Sequence, residues 1–147
     1  MSQIALKHGG TIDKFVGDAI LIFFGDPETR GEKEDAKACA LMALEMRDRM
    51  KHLRKIWEDQ GISNPLEIRI GINTGFCNVG NFGSEDRLDY TIIGNGVNLA
   101  SRLEARAGIN KILLSEDTYL LIRNKIICEK KEAINVKGVS YPVQTYE

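Results

Sequence analysis

The chain has 147 residues, 43% of them hydrophobic and 28% charged, with a formal net charge of -1. These values describe one soluble globular domain around one core. They exclude the basic excess of a nucleic-acid-binding surface, and no apolar run reaches the roughly 18 residues of a transmembrane helix.

The opening "MSQIALKHGG" reads as the end of a helix, with Ile4 and Leu6 apolar, Lys7 and His8 suited to a last turn, and Gly9-Gly10 as the stop. It has no apolar h-region and so is not a signal peptide. Residues 11–16 and 19–24 form a hairpin about Gly17-Asp18, with Gly first as a type II′ turn requires. The second strand, "AILIFF", is apolar on both faces and is expected at the centre of a sheet. "GDPETRGEKED" is a charged loop.

A long helix follows, about 34 to 60. It is striped by Cys39, Met42, Ala43, Met46, Met50, Leu53 and Trp57 at spacings of three and four. Core packing explains the methionines better than a partner groove does. "LEIRIGINTG" (66–75) alternates as a strand, "FCNVGNFG" continues as a Gly-rich strand, and "GSEDRLD" (83–89) reads as a polar loop. "YTIIG" is a short strand, and "NGVNLASRLEARAG" is a helix stopped by Gly108. After the strand "KILLS", Ser115 caps a short helix over 116–123, and strands follow near 125–136 and 141–146. This order predicts an α/β or α+β fold with a mixed sheet.

Several chemistries are absent from the sequence. Cys39, Cys77 and Cys128 contain no CxxC pair, which argues against zinc or a disulfide framework and for a reduced, cytoplasmic setting. His8 and His52 share no motif and read as surface or helix-end residues. There is no GxxxxGK[ST] loop, and "GNGVNLA" lacks GxGxxG spacing. No Ser-His-Asp arrangement can be argued.

What remains is a set of polar residues at the ends of apolar elements. Asp18 stands at a hairpin tip, Thr91 lies within a short apolar strand, and Asn98 and Arg102 are four apart on one helix face. Asn98 is expected beside the buried face, with Arg102 sharing a pocket one turn on. A carboxylate suits Mg²⁺, an arginine suits phosphate oxygens, and an asparagine suits a ribose or base edge. Singly, each has a plain reading: Asp18 as a turn residue, Asn98 as a first-turn residue, Arg102 as a surface charge.

Taken together and in order, "KFVGD", "FFG", "RIGINTG", "YTIIGNGVNLASRLE" and "INVKG" resemble the class III adenylyl and guanylyl cyclase catalytic domain over essentially the whole chain. The block from Tyr90 to Glu104 is the specific part. The resemblance implies an α+β fold, a ferredoxin-like nucleotidyl cyclase palm. It implies head-to-tail association with a second cyclase domain, with active sites in the cleft between the two. The implied reaction converts ATP to 3′,5′-cyclic AMP and pyrophosphate, assisted by two divalent ions, Mg²⁺ or Mn²⁺.

By the same resemblance, Asp18 matches the second of two metal-binding aspartates. Lys14 and Thr91 match the purine-selecting pair, where guanylyl cyclases usually have Glu and Cys. Asn98 matches the residue that orients the ribose, and Arg102 the arginine that stabilises charge on the α-phosphate. Lys137, in "NVKG", matches the lysine for the terminal phosphates; its plain reading is a charged strand end. One protomer would supply the metal aspartates and the other Lys14, Thr91, Asn98 and Arg102.

The chain departs from the family at its start, where the strand bearing the first metal aspartate is not found. Asp13 is at an odd offset from Asp18 and does not replace it. The expectation is one partial cyclase domain over 1–147, weakly active or inactive alone, with strand edges free to pair with another copy. The alternative is a non-catalytic, cyclase-like nucleotide-binding or regulatory module. The expected location is the cytoplasm, or the cytosolic part of a larger or membrane-anchored protein, with no membrane contact from this chain. A diguanylate cyclase reading is weak, because "GGTIDKF" lacks the adjacent acidic pair of that signature.

Overall fold

The computed structural model describes residues 2–25, 29–61, 67–75, 77–84, 87–134 and 143–147, with the backbone alone at 2, 16, 81–84, 87–91 and 143. The order is α1 (Ser2–Lys7), β1 (Thr11–Val16), β2 (Ala19–Phe23), α2 (Glu32–Asp59), β3 (Ile70–Ile72), β4 (Asn78–Ser84), β5 (Arg87–Ile93), α3 (Asn95–Arg106), β6 (Ile112–Ser115), α4 (Glu116–Ile122), β7 (Lys130–Ile134) and β8 (Val143–Tyr146). The α+β class and the mixed sheet are as expected. Four strands lie in the order β3-β6-β8-β7. The β3–β6 pair is parallel, and β8 runs antiparallel to both β6 and β7. The two hairpins, β1-β2 and β4-β5, are separate two-stranded ribbons.

The core lies between α2 and the four-stranded sheet. Ala36, Ala40 and Ala43 of α2 meet Ile72, Ile112, Leu114 and Ile122. Small residues on this helix face let it lie close to the sheet. Further along, Met42 and Met46 close over Ala5 of α1, with Ile12, Ile22 and Phe24 of the first hairpin packed against them. The methionine stripe is therefore core, as its spacing indicated. Glu45, on the same helix, holds α1 through Lys7 Nζ at 2.6 Å and His8 Nε2 at 2.9 Å. Ser115 caps α4 by accepting from the Thr118 amide.

Four expectations are corrected or sharpened. Of the expected loop, residues 83, 84 and 87–89 belong instead to β4 and β5, with Phe82 opposite Asp89 and Ser84 opposite Arg87. An antiparallel ribbon needs only its ladder of backbone hydrogen bonds and tolerates polar side chains. Among the described residues β2 pairs with β1 alone rather than lying at the centre of a sheet. Its apolar residues are covered instead by α2 on one side and line a cleft on the other. α3 ends at Arg106 with Ala107 as C-cap, so Gly108 stands just past the end as expected but without the positive φ of a glycine stop. The strand expected over 66–75 is short because Asn73 and Thr74 leave the ladder to bond neighbouring helices.

Candidate active site

The proposed site residues that the structure describes sit on the first hairpin, β5 and α3. In the first hairpin, Gly17 has φ 60°, the left-handed value that the first position of the turn requires. This puts Asp18 at an exposed tip, and Lys14 is exposed on β1. On α3, Asn98 and Arg102 are both exposed and one turn apart. The expectation that Asn98 adjoins the buried face is corrected. Leu103 is fully buried, and Gly96, Val97 and Ala100 are the α3 residues that line the adjacent cleft. At 3.6 residues per turn, Ala100 lies about 200° around the helix from Asn98. The shared pocket predicted for Asn98 and Arg102 is likewise not found among the described residues. Thr91 lies on β5 with its backbone opposite Gly80. Lys137 lies outside the described residues.

The placement of α3 is set by β3. Gly71 is pressed against the helix so closely that an added Cβ would stand 2.2 Å from the Glu104 amide nitrogen, 2.5 Å from the Ala100 carbonyl oxygen and 2.8 Å from the Leu103 carbonyl carbon. Two residues on, Asn73 Nδ2 donates to the Gly96 carbonyl at 3.1 Å, which fixes the first turn of α3. Its Oδ1 is buried without a partner among the described residues. Thr74 Oγ1 meets Thr118 Oγ1 at 2.8 Å, which ties the same strand end to α4. Sequence reasoning passed over Gly71 and Asn73. A glycine inside an apolar strand is a signal of close backbone approach, and "IGI" carried it.

A second junction joins the hairpin to β5. The register of β1 slips between Ile12 and Lys14. The Asp13 carboxylate accepts a hydrogen bond from the Ile92 amide at 3.1 Å. Behind these elements lies a cleft of about 1160 Å³, lined by Leu21 and Phe23 of β2, Ala36 and Cys39 of α2, and Ile72 and Asn73 of β3, among others. Burial pushes the Cys39 thiol up to about 12. Cys77, also at the cleft, is raised by burial, against an opposing hydrogen bond from the Val97 backbone.

The Adenylate and Guanylate cyclase catalytic domain family model matches residues 2–147. The chain belongs to this family. Among solved structures, the cyclase domain is similar to the adenylyl cyclase CyaB from P. aeruginosa, with 60% identity and a TM-score of 0.94 over 99% of this chain and 74% of that one. It is also similar to the guanylyl cyclase Cya2, with 34% identity and a TM-score of 0.89 over 99% of this chain and 72% of that one. Adenylate cyclase 1 of Rhizobium meliloti is 32% identical over 99% of this chain and 22% of that protein. The chain spans less than a third of the length of the first curated relatives it matches.

The family's metal dependence can be tested against the residues present. Asp18 has the right chemistry, a hard oxygen ligand on a rigid turn. Among the described residues, however, no group of three His, Cys, Asp or Glu could hold a metal ion. The described residues do not by themselves fit a two-ion site. Among them, no helix is long and apolar enough to cross a membrane.

Proposed function

We propose that residues 1–147 form an adenylate cyclase catalytic domain that converts ATP to 3′,5′-cyclic AMP and pyrophosphate between two copies arranged head to tail. The observation that carries this reading is the presentation of Asn98 and Arg102 together on the exposed side of α3, in a chain 60% identical to an adenylyl cyclase. A side chain that must meet a ligand held by a second copy has to face outward.

Each residue has a separate task in this reading. Lys14 donates to an acceptor nitrogen of the adenine ring, and the hydroxyl of Thr91 accepts from the exocyclic amine. Asn98 orients the ribose so that its 3′-oxygen lies in line with the α-phosphorus. Arg102 stabilises the charge that builds on the α-phosphate oxygens. Lys137 neutralises the terminal phosphates. Asp18 offers one oxygen ligand to Mg²⁺ or Mn²⁺ in the opposite site, so Lys14 and Asp18 would serve different sites although four residues apart.

The second reading is a non-catalytic module that binds nucleotide or a partner. It is favoured by the absence, among the described residues, of any group of three His, Cys, Asp or Glu able to hold a metal ion. A cyclic AMP assay with ATP and Mn²⁺ separates the two. We expect little product from the chain alone and turnover once a strand bearing a second aspartate is joined ahead of residue 1. No product from that extended chain would leave only the module. Base selection is tested by Lys14→Glu with Thr91→Cys, which should turn an ATP preference toward GTP; an unchanged preference would refute the assignment.

A further inference from the structure

We infer that Asp13 is a positioning residue for base selection, tying the strand that carries Lys14 to the strand that carries Thr91. The inference rests on the base-reading roles proposed above.

The ladder of the first hairpin pairs Ile12 with Ile22 and then Lys14 with Leu21. Asp13 is the extra residue of a β-bulge. A bulge of this kind bends its strand and re-aims a side chain out of the regular alternation. Here the released side chain reaches the neighbouring ribbon, where Asp13 Oδ2 accepts from the Ile92 amide at 3.1 Å. The donor is a backbone group, so the bond fixes the main chain of β5 rather than a mobile side chain. A carboxylate that accepts from an N–H makes a stronger, charge-assisted bond than a neutral acceptor would.

The placement of this contact is what gives it a role. Asp13 immediately precedes Lys14, and Ile92 immediately follows Thr91. The two ribbons otherwise belong to separate sheets, so backbone ladders do not set their spacing. Discrimination between adenine and guanine depends on a donor and an acceptor at a fixed separation, because the wrong base leaves polar groups unpaired only if those groups cannot move. A tether one residue away from each reader supplies that rigidity. It also accounts for Asp13, an acidic residue at the wrong offset from Asp18 to act beside it on a metal.

The test compares wild type, Asp13→Ala and Asp13→Asn by displacement of a fluorescent N-methylanthraniloyl ATP with ATP and with GTP, alongside amide hydrogen exchange. Asn keeps an acceptor oxygen in place, and Ala removes it. The expected result is a loss of about tenfold in the ATP-over-GTP ratio for Asp13→Ala, with Asp13→Asn close to wild type. A purely structural Asp13 would weaken both nucleotides equally and leave the ratio unchanged, and that outcome overturns the inference. So does an Asp13→Asn variant that loses the ratio as fully as Asp13→Ala. The Ile92 amide of wild type should exchange slowly. Exchange there at an unprotected rate would remove the tether itself, whether or not Asp13→Ala folds. A wild-type chain that does not prefer ATP would refute the base-reading roles and this inference together. A wild-type preference that survives in Asp13→Ala refutes the inference alone.

Discussion

Gly71→Ala is the smallest change that should disturb both the stability and the proposed chemistry of this domain. The new methyl would stand 2.2 Å from the Glu104 nitrogen, whereas ordinary contact begins near 3.4 Å. The shortfall is about 1.2 Å, and every obstructing atom is helix backbone, so no rotamer change can relieve it. Either α3 or β3 has to move. Overpacking of this kind costs about 1–3 kcal/mol, and the rigid obstacle points to the upper end. At about 2–4 °C per kcal/mol for a domain of this size, a 3 kcal/mol loss lowers Tm by about 6–12 °C. A shift of about 1 Å in α3 also displaces Asn98 and Arg102, enough to cost about a hundredfold in any rate that depends on their alignment. Thermal unfolding by circular dichroism and cyclic AMP production by the extended chain measure the two effects. A Gly71→Ala chain with wild-type Tm and wild-type turnover would show that β3 does not set the height of α3.

Three further predictions use other parts of the molecule. Cys39, held as a thiol by burial with its pKa raised from 9.0 to about 12, should have a thiolate fraction about a thousandfold below that of a free cysteine. Partly buried at the cleft wall, it should react with iodoacetamide far more slowly in the native chain than after unfolding, and native labelling at the rate of a free cysteine would contradict the raised pKa. Glu45 is held below its ordinary value first by the hydrogen bond from Lys7 and then by that from His8. Its contribution to stability is thus present above its unfolded pKa and lost as pH falls through the lower folded value. Glu45→Gln should be less stable than wild type at neutral pH, with the difference closing in acid, and a constant difference in urea midpoint would refute the linkage. In the extended, active form, an equal mixture of Asp18→Ala and Arg102→Ala chains should regain about a quarter of wild-type cyclic AMP production, because half of randomly paired dimers hold one intact site. No recovery on mixing would mean that each site takes both residues from one chain.

Much of the fold was legible because its signals are local. The α2 stripe repeats every three or four residues, Ser115 stands where a cap belongs, and Gly17 occupies the turn position that needs positive φ. The pairing of Gly83 and Ser84 with Arg87 and Leu88 was missed because it owes nothing to an apolar pattern. The site residues could be read only as a set, since each taken alone passes for a turn residue or a surface charge. The residues that hold them in place were missed for a different reason. Asn73 and Gly96 are 23 residues apart, and Asp13 and Ile92 are 79 apart. No window of sequence contains both partners, so the bond that gives Asn73 or Asp13 its role leaves no local pattern.

The exposure of Lys14, Asp18, Asn98 and Arg102 bears on how the proposed reaction could work. Charges in water interact weakly: at 4 Å a pair is worth about 1 kcal/mol at bulk dielectric and about 4 kcal/mol near a protein surface. An arginine that remains solvated therefore stabilises a developing charge on phosphate only modestly. Docking of a second copy over α3 and the hairpin would expel that water and strengthen each contact without any change in the chain's own geometry. The scaffold is suited to this arrangement. Gly71 and Asn73 fix α3 from its buried side, and Asp13 fixes the hairpin to β5. The backbone beneath the outward faces is thus anchored before a partner arrives, so association would not have to order that backbone. Loosening the buried anchors should therefore reduce turnover more than it reduces dimer affinity. Removing Lys14 or Arg102 should reduce turnover while leaving Tm unchanged.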